Sequence, residues 1–128
     1  MDSKDYLRYA YKGKEIVGVR LSGMGESFTV GLYDGVAKGY TQADVIRSNK
    51  PKTGVAVPNK KQATLMCTVM NDLNLMLEKA GGQIMSGWYW TSEAYDVMDS
   101  WAFNGDHGVL DLMQDTRTLA VRFITIHQ

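Results

Sequence analysis

The residues best suited to chemistry are few. The only histidines are His107 and His127, and the only cysteine is Cys67. A catalytic histidine needs an adjacent nucleophile or an orienting carboxylate. Asp106 and Asp111 lie near His107 in sequence, but no serine or cysteine nucleophile is marked beside it. Cys67 falls inside an apolar helical pattern, where a small packed residue is expected. "GMGES" (Gly23 to Ser27) lacks the Lys-Ser/Thr ending of a phosphate loop and reads as a hairpin turn. No G-x-S-x-G elbow is present. Asp96, Asp99, Asn104, Asp106 and Asp111 could offer oxygens to calcium, but EF-hand spacing is absent, and loop aspartates and asparagines more often form turns. These residues therefore imply no catalytic set, no metal site and no cofactor.

They do suit contact chemistry. "SGWYWTSEAYDVMDSWAFNGDHG" (Ser86 to Gly108) holds all three tryptophans, Trp88, Trp90 and Trp101, together with Tyr89, Tyr95 and Phe103. Trp88 and Trp90 are spaced by two, as are Trp101 and Phe103, so each pair shares one face of a strand. Three tryptophans are costly to expose, so part of this set belongs to the core. The polar residues around them fall in segments without periodicity, which read as loops, and loops on a rigid scaffold carry binding residues. The candidate ligand contacts are Trp88, Tyr95, Asp96, Asp99, Asn104, Asp106, His107, Asp111 and Gln114.

Composition narrows the class. A chain of 128 residues suits one domain with one core, spanning 1–128. Apolar residues make up 45% and charged residues 22%, so the chain folds rather than staying disordered. Basic and acidic residues both number 14, so the surplus that a general nucleic-acid binder needs is missing. Lys50, Lys52, Lys60 and Lys61 cluster in sequence, but they read as a solvated loop leading into a helix. One cysteine permits no disulfide within the chain. The N-terminal "MDSKDYLRYAYKGKE" has no apolar core of a signal peptide, and no apolar run is long enough to span a bilayer. Membrane insertion is not expected, and oligomerisation stays open.

The elements that must position these residues are also readable. Ile16, Val17, Val19 and Leu21 form one strand, and Phe28, Val30 and Leu32 a second, with "SGMGES" turning between them. Thr41-Gln-Ala-Asp44 starts a short helix through about Arg47. "VAVP" is a short strand candidate. Asn59 with Gln62 forms a capping box, and Met66, Val69, Met70, Leu73, Met76, Leu77 and Ala80 follow at three- and four-residue spacing. This predicts one helix of about 20 residues, closed by Gly81-Gly82. Strands follow at Trp88 to Thr91, Ser100 to Phe103 (turning at Asn104-Gly105) and Val109 to Met113. "TLAVRFITI" predicts a closing strand of eight or nine residues. Strands, helices, then strands again give an α+β domain rather than alternating βαβ units.

Four of these motifs stand in a shared order: Val57-Pro58-Asn59, "YWTSE" (Tyr89 to Glu93), "SWAFNG" (Ser100 to Gly105) and "LAVRF" (Leu119 to Phe123). This order resembles the bacterial and phage C-type-lectin-like domains over roughly residues 54 to 124. The resemblance implies two helices flanking a small, twisted antiparallel sheet whose chain ends pair. It implies a core containing Trp90, Trp101, Phe103, Val121 and Phe123, with Tyr95 to Asp99 and Asp106 to Gln114 on or near the ligand face. It implies a non-enzymatic module recognising a surface protein or glycan, in a family that includes adhesins, phage receptor-binding proteins and variable proteins of diversity-generating retroelements. Such a module works at a cell surface, in secretion or on a virion. The calcium-binding Glu-Pro-Asn and Trp-Asn-Asp triplets of animal lectins are missing, which argues against sugar binding through calcium. Formylglycine-generating relatives need a cysteine pair that this chain lacks. The alternative is an assembly subunit of a phage tail or pilus-like structure.

Overall fold

The N-terminal segment holds a strand that its charge conceals. Leu7, Tyr9 and Tyr11 alternate with Arg8, Ala10 and Lys12, and the run forms β1 (Leu7–Lys12). The computed structural model describes residues 6–35 and 39–127, so the start of that segment, 1–5, lies outside it with 36–38 and 128. β2 (Glu15–Gly23) and β3 (Glu26–Gly31) follow as expected, joined by a turn at Met24 and Gly25. α1 (Gln42–Ser48) starts at Thr41, whose hydroxyl accepts from the Asp44 backbone while the Asp44 carboxylate accepts from the Thr41 backbone. A single 3-10 turn (Pro51–Thr53) leads into β4 (Val55–Ala56).

The long helix is two helices. α2 (Lys60–Thr68) begins with the Asn59/Gln62 capping box, and α3 (Met70–Lys79) ends at Gly81, whose φ of 80° favours glycine. Val69 stands between them with φ −119° and ψ 22°. Two hydroxyls precede the break: Thr64 donates to the Lys60 carbonyl at 2.7 Å and Thr68 to the Thr64 carbonyl at 2.9 Å. Such back-bonding competes with the helical ladder and bends it. The apolar stripe survives the break, because Met66, Val69, Met70, Leu73 and Leu77 all stay buried.

β5 (Trp88–Ala94), β6 (Asp99–Asn104) and β7 (Val109–Gln114) form one antiparallel sheet in that order. The expected closing strand is much shorter than predicted. Only β8 (Ile124–Ile126) is a strand, and it lies between β3 and β4 in a second antiparallel sheet of order β1-β2-β3-β8-β4. The residues before it change partner at nearly every step. Leu119 exchanges backbone bonds with Tyr40, the Ala120 carbonyl accepts from Trp90, Val121 from Gly35, and Phe123 from Gly31. The segment thus crosses from one sheet to the other and cannot run as one ladder.

Arg122 fixes that crossing. Its side chain is 0% exposed, with Nε 3.0 Å from Asp34 Oδ1 and Nη1 3.0 Å from the Gly31 carbonyl; Nη2 lies 2.8 Å from the Gln83 carbonyl and 2.9 Å from Asp34 Oδ1. A buried charge is tolerated only when it is paired and its donors are used, as here.

Among the described residues the molecule is therefore an α+β domain of three α-helices and two antiparallel sheets. Val19, Leu21, Phe28 and Val30 from the larger sheet meet Met66, Leu73 and Leu77 from the helices and Tyr89 and Phe103 from the smaller sheet. A second cluster, Tyr40, Val45, Val57, Trp90, Ala102 and Val121, covers the other face of the smaller sheet on its β5 side. Trp90, Phe103 and Val121 are fully buried as expected, whereas Trp101 and Phe123 are only half-buried.

Candidate functional site

Strand register sorts the candidate contacts by face. Trp88 pairs with Asn104, which pairs with Val109; Trp90 pairs with Ala102, which pairs with Asp111. Cross-strand partners share a face, so Trp88, Asn104 and Asp111 lie on the side opposite α2. Asp99 pairs with Gln114 and Trp101 with Leu112, on the side of Tyr89 and Phe103, whose stacked rings belong to the main core. The nine residues therefore do not converge. Tyr95, Asp96, Asp99 and Gln114 gather at one end of the sheet, while Trp88, Asn104, Asp106 and His107 gather at the other, one strand length of roughly 20 Å away. Asp111 stands between them on β7.

At the Asn104 end the polar residues maintain the turn. Asn104 is 6% exposed, and its Oδ1 accepts from Asp106 N at 2.8 Å and His107 N at 3.0 Å. Gly105 packs so tightly that an added Cβ would lie 2.5 Å from the Met85 backbone. Asp106 accepts from Gly87 N at 2.8 Å and Ser86 Oγ at 2.9 Å. These bonds, led by the Gly87 N–H and helped by the charge of His107, hold the Asp106 carboxyl below the usual carboxylate range. His107 and Cys67 line the same open depression of about 290 Å³. Burial pushes the Cys67 thiol up to about 11, so it stays protonated near neutrality.

The other end is a rigid turn that presents apolar groups. Asp96 Oδ1 accepts from Met98 N at 2.9 Å and Asp99 N at 2.7 Å, and the Asp99 carbonyl accepts from Tyr95 N and Asp96 N. An aspartate closing its own loop in this way fixes the turn. Tyr95, Val97 and Met98 stand out from it, exposed by 59%, 96% and 63%. At its base Tyr95 meets Trp101 edge-on with centroids 5.8 Å apart, and Lys60 Nζ lies 3.9 Å from the Trp101 ring centroid. An irregularity in β5 between Trp90 and Ala94 positions this base. There Ser92 donates through N–H and Oγ to the Pro58 and Val57 carbonyls, and Gln42 Nε2 donates to the Thr91 carbonyl. The segments "VPN", "YWTSE" and α1 are thereby tied together behind the turn.

Val97, Met98 and Lys60 stand outside the nine candidate contacts, although the resemblance put Val97 and Met98, within Tyr95 to Asp99, on or near the ligand face. Val97 and Met98 carry a signal in retrospect, being apolar residues inside a run without periodicity. Lys60 carries none, because its contact with Trp101 spans 41 residues of chain. Beside the turn, where Asp115 N donates to the Met98 carbonyl, Thr41, Gln42, Ala43, Ile46, Asp115 and Thr116 line an open depression.

Among the described residues no group of three or more His, Cys, Asp or Glu side chains is placed to hold a metal ion. No helix among them is long and apolar enough to cross a membrane. No model of a known protein family matches the sequence. A search of curated proteins likewise gives no match.

Proposed function

We propose that this chain is a non-enzymatic ligand-binding module of C-type-lectin-like architecture, and that it grips a protein or glycan at a surface through the Tyr95–Met98 turn. Three features support the architecture: the early strand β3 pairs with the last described strand β8, a separate three-stranded sheet carries the tryptophans, and α2 and α3 pack between the sheets. The observation that carries the function is the exposure of Tyr95, Val97 and Met98 on a turn already fixed by Asp96. Large apolar groups held rigidly in water lose little entropy on binding and make good anchors. Aliphatic Val97 and Met98 suit an apolar pocket on a protein better than a sugar ring. Tyr95, Trp101 and Lys60 supply the aromatic and cationic base.

A screen of surface proteins and glycans would identify the ligand. Val97→Asp is then expected to weaken binding about tenfold or more, with Tyr95→Ala close behind. Val97→Asp is expected to leave stability within about 0.5 kcal/mol. Loss of melting temperature in step with loss of binding would refute the assignment.

One observation favours the assembly reading. Ile46 on α1 is 73% exposed beside the same turn, so Ile46, Met98 and Val97 could pack against a second copy. A sizing column decides between the two: a stable oligomer dissociated by Val97→Asp supports assembly, and a monomer supports ligand binding.

A further inference from the structure

The outer face of the five-stranded sheet has a different chemistry. Strand alternation sends Leu7, Val19, Leu21, Phe28 and Val30 into the core and turns Arg8, Arg20, Ser22 and Ser27 outward. The register sets Arg8 directly opposite Arg20. Like charges in that position destabilise a strand pair. Arg47–Asp44, Lys61–Glu26 and Arg122–Asp34 form ion pairs, and among the described residues no carboxylate pairs with Arg8 or Arg20. Arg20 is nonetheless aimed. Its Nε and Nη2 both donate to Ser27 Oγ, at 3.2 and 3.0 Å, and Ser22 Oγ lies 3.4 Å from the same oxygen. Tyr6, Arg8, Arg20 and Ser22 line a depression of about 240 Å³.

We propose that this depression binds a tetrahedral oxyanion, the phosphate or sulfate group of an ester. Guanidinium groups donate in pairs to such oxygens. Two of them from adjacent strands match a group with three or more acceptor oxygens better than a single planar carboxylate. The Arg20 Nη1 that Ser27 leaves unused, the Arg8 fork and the Ser22 hydroxyl supply the donors. Occupancy also removes the Arg8–Arg20 repulsion, so binding and stability rise together. The site is on the other sheet from the Tyr95–Met98 turn, and each proposal stands or falls without the other.

The test is a thermal-shift titration of the full chain with inorganic phosphate, sulfate and acetate, at fixed pH and with ionic strength balanced by sodium chloride. Phosphate, sulfate or both are expected to raise the melting temperature saturably, and acetate much less; the stronger of the two identifies the ester. Arg8→Gln and Arg20→Gln are each expected to weaken the anion about tenfold or more. Without anion, Arg8→Gln is expected to melt no lower than the parent, because the repulsion is gone. Absence of a saturable shift beyond that of chloride overturns the proposal, as does an undiminished shift in both variants.

Discussion

Burial holds two weakly acidic side chains in their protonated forms. The Cys67 thiol is pushed from 9.0 up to about 11, and the Tyr89 hydroxyl from 10.0 up to about 12, first by burial and then by the Asp34 carboxylate. Both folded values lie above the unfolded ones, so the unfolded chain loses these protons first as pH rises. The stability they contribute is complete below pH 9.0 and is lost between there and about pH 12. Denaturant melts across this range are expected to show that decline, and Cys67→Ala is expected to delay its onset to near pH 10, where Tyr89 begins to act. A decline with unchanged onset in the variant would contradict the role of Cys67. At this scale the sequence was informative about type but not about duty. Asn104, Asp96 and Asp106 carry side-chain oxygens suited to a ligand, and those oxygens accept from turn backbones. Asp96 and Asp106 stay exposed while doing so, and the apolar neighbours of Asp96 are exposed beside it. Polar character alone cannot tell a turn former from a contact, because the difference lies in which backbone N–H is within reach.

Elements governed by local signals were legible, and those governed by distant partners were not. The α1 and α2 starts follow from capping boxes spanning three residues, and the β2–β3 hairpin from its glycine turn. β1 was hidden by its charges, which face outward at Arg8 while Leu7 packs inward. The break at Val69 interrupts a stripe whose periodicity is continuous, so hydrophobic spacing could not reveal it. The Leu119–Phe123 segment has strand propensity throughout, yet it bonds to Tyr40, Trp90, Gly35 and Gly31 in turn. Arg122 joins that segment to residues 31–34 and 83–84. Arg122→Ala removes the buried cation that donates to Asp34 and to the Gly31 and Gln83 carbonyls and is expected to cost about 3–5 kcal/mol in denaturant unfolding. Arg122→Lys is expected to recover only part of that, since a single ammonium cannot reproduce the fork. A loss below about 1 kcal/mol in the alanine variant would show that the crossing does not depend on this side chain.

At the scale of the molecule, the α+β class was legible from element order, and the division of the candidate surface into two ends was not. That division depends on register, which sets Asp99 beside Gln114 and Trp88 beside Asn104 on opposite faces. The position of β8 has a kinetic consequence. It is the last strand among the described residues, yet it lies inside the larger sheet, where Thr29 and His127 meet across 98 residues. Contacts of that sequence separation slow folding, because loop closure must precede the contacts that reward it. Refolding followed by tryptophan fluorescence is expected in the millisecond-to-second range, well behind a helical bundle of equal size. A main phase in microseconds would contradict this. During synthesis β1, β2 and β3 emerge long before β8, and until it arrives β3 presents an unpaired edge to any other chain. Edge-to-edge pairing of crowded nascent chains is then a hazard that this topology carries until β8 docks.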